Sequence, residues 1–195
     1  MIDDCTLAIS LKTDFDSAYC IRGIAHLKIG ELKSAAADLS KAVKLNPKYE
    51  EAFFFRGIVR ASEQDYVNAI KDFSRAIENN SPNPKYFYNR AIASAYLGNY
   101  GDAIDDLTKA INLKSEYTEA YYSRAYWKDV SGNYSGAIDD YKKVIELNPK
   151  YIEAYIGMAT MKYMNGEKQS ACDDLKKAIE IGSIKAEELS NIFCK

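Results

Sequence analysis

The chain has 195 residues, 47% of them hydrophobic and 28% charged, and its 26 Lys and Arg nearly balance 28 Asp and Glu for a net charge of −2. That composition excludes a compositionally disordered chain and leaves no electrostatic footprint for nucleic acid. No apolar run reaches the roughly 18–20 residues of a membrane span, and MIDDCTLAIS carries acid where a secretory signal carries base. The chain as given therefore reads as soluble, with no membrane partner and a cytoplasmic location favoured.

Residues 1–15 read as a lone second helix, because Cys5, Ala8, Ile9 and Leu11 fall in register with Tyr141, Val144, Ile145 and Leu147 far downstream. Met1 thus stands inside a repeat, a register consistent with a fragment. The face that a missing first helix would cover is expected to be a sticky edge.

Five full units follow at 16–49, 50–83, 84–117, 118–151 and 152–185, aligned on Gly23, Gly57, Ala91, Ala125 and Ala159 at a period of 34 without an insertion. A fixed period of this length marks a solenoid, so residues 1–195 are expected to form one elongated repeat domain. Each unit carries two helical patterns. In 118–151 the first places Tyr121, Arg124, Ala125 and Lys128 on one helical face and stops at Gly132-Asn133. The second runs through Ala137, Ile138, Tyr141, Val144 and Ile145 and ends at Asn148-Pro149, where proline removes a backbone donor and restrains the residue before it.

Small residues on the first helices face Ala35, Ala69, Ala103, Ala137 and Ala171 on the second, which predicts closely packed antiparallel hairpins. Gly30, Gly98, Gly132 and Gly166 suit the left-handed end of a helix, whereas Gln64 replaces glycine and predicts a strained or rearranged turn. A second irregularity falls at 79–84, where the junction proline is displaced and doubled. Phe15, Tyr49, Tyr117 and Tyr151 precede other first helices and could staple their entry, but Asn83 takes that place here. Residues 186–195, AEELSNIFCK, are expected to be a short closing helix whose Leu189, Ile192 and Phe193 cover the last core.

With these positions in hand the chain resembles the tetratricopeptide repeat family over essentially its whole length. The family pattern is met by Tyr121, Ala125, Ala137, Tyr141 and Pro149, with departures at Lys128 and Val144. The resemblance implies an all-α, right-handed superhelical solenoid of antiparallel helix pairs, whose first helices line a groove that commonly holds a peptide.

The carboxylate clamp of chaperone-binding members is incomplete. Asn89 fits its middle position, but Phe54 and Ile58 flank it on one side and Glu119 and Ser123 on the other, so a chaperone tail would meet an acid rather than two cations. The asparagine ladder of glycosyltransferase members is missing too, its sites being Ile21, Phe55, Asn89, Ser123 and Gly157. What lines the expected groove is apolar and aromatic: Cys20, Ile24 and Leu27, then Phe54 and Ile58, then Tyr88, Ile92 and Tyr96, then Tyr122 and Tyr126, then Ile156, Thr160 and Tyr163. Six rings one-third open would present roughly 300–500 Å². The candidate peptide site is accordingly Phe54, Ile58, Tyr88, Asn89, Ile92, Tyr96, Tyr122, Tyr126 and Tyr163, with Glu51, Glu119 and Glu153 biasing partners toward basic or neutral segments.

Other regularities read as framework. Arg22, Arg56, Arg90 and Arg124 answer Asp4, Asp38, Asp72, Asp106, Asp140 and Asp174 as repeated ion pairs, a series that Met158 breaks. Adjacent acids such as Asp139-Asp140 point about 100° apart and do not converge as a catalytic pair. His26 reads as a packing or surface variant. Cys5, Cys20, Cys172 and Cys194 lack metal-ligand or disulfide-framework spacing and are expected to be small apolar thiols. No phosphate loop or nucleophile set is visible, so no cofactor, metal or enzymatic activity is expected. The expected function is a protein-interaction scaffold. Its rivals are a self-associating assembly element acting through the 1–15 edge and a regulatory fragment of a larger enzyme.

Overall fold

The computed structural model describes residues 1–78 and 82–195, so Asn79, Asn80 and Ser81 of the irregular junction lie outside the described residues. All regular structure among the described residues is α-helical and falls in two compact units, Met1–Asn99 and Tyr100–Lys195. The fold class is all-α, a helical repeat of the solenoid kind. The first unit holds α1 (Ile2–Leu11), α2 (Asp16–Lys28), α3 (Leu32–Leu45), α4 (Glu50–Ser62), α5 (Tyr66–Glu78) and α6 (Pro84–Tyr96). The second holds α7 (Tyr100–Leu113), α8 (Thr118–Val130), α9 (Tyr134–Leu147), α10 (Ile152–Met164), α11 (Lys168–Glu180) and α12 (Ile184–Phe193).

Within each unit, consecutive helices pack on one another, α2 on α3 and α4 on α5 in the first, α8 on α9 and α10 on α11 in the second. The first core gathers Leu39, Phe53, Phe54, Val59, Phe73 and Tyr86. The second gathers Tyr141, Val144, Tyr155, Met158, Leu175 and Phe193. Small residues set the spacing. A Cβ built on Gly57 would lie 2.6 Å from Phe73 Cε1, and one on Gly23 would lie 2.8 Å from Leu39 Cγ, so each ring or branched side chain fills the space that glycine leaves.

The turns between paired helices repeat one geometry. Gly30, Gly98, Gly132 and Gly166 have φ of 81–85°. In each turn the next residue's N–H reaches back to a carbonyl five residues earlier, as from Glu31 to His26 and from Asn133 to Lys128. Gln64 keeps that turn: its φ is 62° and Asp65 donates to the Arg60 carbonyl at 2.8 Å. Of the two outcomes expected for this position, rearrangement is not found: Gln64 takes the left-handed conformation that favours glycine. Asn83 resolves its own departure from the aromatic series, since its side chain accepts from Lys85 N–H at 3.0 Å and Pro84 opens α6 behind it.

A buried carboxylate ties the pairs α2–α3, α4–α5, α8–α9 and α10–α11 together. Arg22 binds Asp38, Arg56 binds Asp72 and Arg124 binds Asp140, each through Nε and Nη2 at 2.6–2.8 Å. A second cation joins from one turn on: Arg60 to Asp72 and Lys128 to Asp140. Met158 breaks the arginine series, and Lys162 holds Asp174 instead. His26 occupies the Arg60 and Lys128 position, with Nδ1 2.7 Å from Glu31 and Nε2 3.8 Å from Asp38. Asp4 departs from the expected series: it is exposed and pairs with the Met1 amino group.

The C-terminus requires two corrections. Cys172 and Cys194 are joined as a disulfide between α11 and the end of α12, with Cα atoms 5.8 Å apart, rather than standing as separate thiols. Twenty-two residues separate them in sequence, and only the docking of α12 on α11 brings them together. Of the three residues expected to close the core, Phe193 is buried and Leu189 packs against it, but Ile192 is 67% exposed because it falls on the outer face of α12.

Replacing Gln64 with glycine is expected to raise stability by about 0.5–1 kcal/mol, the cost of a non-glycine residue at positive φ less the entropy of the added glycine. An unchanged denaturation midpoint would show that the turn stores no strain. Asp140→Asn, which leaves Arg124 and Lys128 half-buried around a neutral group, should cost about 3 kcal/mol in chemical denaturation. A loss below about 0.5 kcal/mol would mean that the ion pairs are dispensable.

Candidate peptide-binding clefts

First helices carry the residues expected to bind, and their local geometry sorts them. In the first unit Ile58 on α4 and Asn89, Ile92 and Tyr96 on α6 meet around an open cleft of about 300 Å³, completed by Ala61, Ser62, Tyr66 and Ala93. Tyr66, from the second helix α5, lies parallel to Tyr96 with ring centres 4.8 Å apart. Tyr96 is 62% exposed, so the stacked pair forms a flat aromatic rim. Asn89 donates from Nδ2 to the Lys85 carbonyl, which leaves its amide oxygen for a ligand.

In the second unit Tyr122 and Tyr126 on α8 face Ile152, Glu153, Ile156, Gly157, Thr160 and Met161 on α10 across a cleft of about 400 Å³. Asp129, Tyr141, Ser183 and Lys185 complete its lining. Both volumes lie in the range of ligand sites, roughly 300–1,000 Å³.

Three expected residues are not in either cleft. Phe54 is buried in the first core, its ring 4.7 Å from that of Tyr86 and 5.9 Å from that of Phe73, so it serves packing rather than contact. Tyr88 is half-buried on α6 and lines neither cleft. Tyr163 stacks face to face on Phe193 at 3.9 Å, which spends its ring on holding α12. Sequence reasoning in turn missed Tyr66, Asp129 and Tyr141. Tyr66 and Tyr141 belong to second helices, which the repeat pattern assigns to support, and Asp129 falls on a first-helix position where Leu27, Ala61, Ala95 and Tyr163 stand elsewhere.

Electrostatically the second cleft is unusual. Burial raises the Tyr141 hydroxyl well above the ordinary tyrosine range, with Tyr122 and Asp129 adding to it. Burial, then Glu153, raises Tyr122 in the same way, and burial alone raises the Asp129 carboxyl. Elsewhere the buried Cys20 thiol is pushed up to about 12, chiefly by burial, so it stays protonated at neutral pH and is a poor nucleophile. Among the described residues no three His, Cys, Asp or Glu side chains gather to hold a metal ion, and no helix is long and apolar enough to cross a membrane.

Comparison with known proteins places this geometry. Residues 22–84 and 84–117 each match a family described as tetratricopeptide repeat, and residues 131–166 match one described as TPR repeat. No curated protein sequence matches the chain. Among solved structures, YrrB, described as a TPR protein with an unusual peptide-binding site, superposes with a TM-score of 0.87 at 22% identity, covering 98% of this chain and all of that one. A MamA protein superposes with a TM-score of 0.82 at 25% identity over 88% of this chain and 94% of its own. A MamA fragment from Desulfovibrio magneticus RS-1 does so with a TM-score of 0.80 at 18% identity, over 85% and 94%. Helix pairs at a 34-residue period and family matches across more than half the chain lead to one conclusion: this protein belongs to the tetratricopeptide repeat family.

Proposed function

We propose that the chain is a non-enzymatic interaction scaffold that holds an extended protein segment against its first helices. The observation that carries this reading is the pair of open, ring-lined clefts, one in each unit, with the tyrosines Tyr96 and Tyr126 substantially exposed at their edges. Exposed tyrosine gives a large apolar contact and a hydroxyl for little entropy, a combination enriched at binding surfaces. The peptide-binding site described for YrrB is a property of that protein; its fold likeness to this chain makes the same use reasonable here. A chaperone carboxylate tail does not fit, because the flanking positions offer Phe54, Glu119 and Ser123 rather than lysine and arginine.

Peptide-array screening of the full chain is expected to find bound segments, and Tyr96→Ala or Tyr122→Ala should weaken those that use the respective cleft about tenfold, as truncation of an aromatic anchor does. Segments held at full affinity by both variants would place binding elsewhere.

A second reading has its own support. Leu7 and Leu11 on α1 are 62% and 81% exposed, two large apolar side chains held in solvent among the exposed Asp3, Asp4, Thr6 and Ser10. We infer that copies of the chain associate through the α1 edge. Light scattering over a hundredfold range of concentration should then show a rising mass that Leu7→Glu with Leu11→Glu abolishes, and a constant monomer mass would exclude it.

A further inference from the structure

The repeat supplies its own comparison set, since each position of one unit can be read against the same position in the others. Framework positions largely agree among units, Met158 and Gln64 being single departures. Four positions of the second-unit cleft do not. Tyr126 stands where earlier first helices have Ile24, Ile58 and Ile92, and Asp129 where they have Leu27, Ala61 and Ala95. Tyr141 replaces Leu39, Phe73, Leu107 and Leu175 of the other second helices, and Gly157 replaces Ile21, Phe55, Asn89 and Ser123. All four line the same cleft. Three of the changes bring polar groups and the fourth removes a side chain, so this cleft carries an acid and two phenols where the corresponding positions of the earlier units hold Ile, Leu, Ala or Phe.

The removed side chain and one added hydroxyl are linked. A Cβ on Gly157 would lie 2.5 Å from Tyr141 Cζ and 2.9 Å from its Oη, so glycine is what lets the phenol reach that point. The hydroxyl makes no hydrogen bond within the described residues. Yet no side-chain oxygen or nitrogen among them is both fully enclosed and unpartnered, so it is open to the cleft that it lines. Asp129 is as costly. It is half-buried, lies in the last turn of α8 where the helix dipole disfavours an acid, and has no ion pair or hydrogen bond among the described residues. Nothing in the fold compensates it.

We propose that this cleft receives the side chain of a lysine or arginine from the bound peptide. The proposal rests on the peptide-scaffold reading above and names what the second cleft recognises. The carboxylates of Asp129 and Glu153 would accept from the ammonium or guanidinium, with the Tyr141 hydroxyl as a further acceptor, and the rings of Tyr122 and Tyr126 would flank the cation. Charge complementarity decides against an acidic or purely apolar occupant. From α8 and α10 the facing charges are Asp129 and Glu153; from α12 it is Lys185, exposed at the rim and not ion-paired with either acid. The described lining therefore keeps a net negative charge.

The test uses the full chain and pools of end-capped heptapeptides, random except for a fixed central residue, with binding read by fluorescence polarisation. Pools fixed as Lys or Arg are expected to bind at least tenfold tighter than pools fixed as Gln or norleucine. Asp129→Asn with Glu153→Gln should reduce that preference below threefold while the norleucine pool binds as before. The isosteric Asp129→Asn alone should melt no lower than the parent, since it removes an uncompensated carboxylate, so a lost preference is not lost folding. A preference that survives the double variant, or equal binding of the norleucine or Glu pools, overturns the inference while the scaffold reading stands. If no pool binds at all, both fall.

Discussion

A carboxylate buried at one place in each repeat imposes a demand that its neighbours must meet. Asp38, Asp72, Asp106, Asp140 and Asp174 are all at most 6% exposed. An ionised group so placed is tolerable only with its charge answered and its lone pairs satisfied. Arginine meets both conditions at once, because Nε and Nη2 form a planar fork onto the two carboxylate oxygens. The remaining Nη1 then turns to the preceding helix, Arg22 to Thr6 and Arg124 to Thr108, each over sixteen residues. One side chain thereby fixes its own hairpin and the hairpin's seat on the helix before it. Such a network gains little net stability over an apolar core of the same shape, but it specifies one register among many that leucine and alanine would accept.

Close backbone approach follows from that register. With the paired helices held at fixed height, glycine or alanine on the first helix meets Leu39, Phe73 or Tyr141 on the second or on a neighbour, and the large side chain enters the gap. The same rule allows change of a limited kind. A large second-helix residue can become tyrosine if the facing position becomes glycine, as Tyr141 and Gly157 do, and the framework around them is undisturbed.

Helix boundaries and hairpin contacts were legible from sequence because they depend on repeated local chemistry: small residues at a period of 34 in all five units, glycine at four of the turns, proline after the second helix at Asn46-Pro47 and Asn148-Pro149. The arginine and aspartate pairing was legible for the same reason. The placement of Phe54, Tyr88 and Tyr163, three of the nine candidate residues, was not. Phe54 and Tyr122 share a repeat position, yet Phe54 is enclosed by Phe73 and Tyr86 while Tyr122 faces the space beside Gly157; periodicity reports the face of a helix, not how deep its neighbours let a ring sink. The disulfide escaped for a related reason. Cys172 and Cys194 meet only through the packing of the non-repeating α12 on α11, about which the repeat says nothing.

Departures from the repeat carry the information that the repeat itself lacks. Where Gln64 departs, the neighbours hold it in the inherited turn. Where Asp129 departs, three further departures stand in the same cleft, and the cost of an uncompensated acid at a helix end is joined to a hydroxyl without a partner and a missing side chain. An isolated departure is one the fold tolerates, since a framework fixed by buried ion pairs holds the turn in place around it. Four departures gathered in one cleft, two of them sterically linked as Tyr141 and Gly157 and one of them the acid Asp129, describe a local environment that packing alone does not require, and a cation is the group that environment would stabilise.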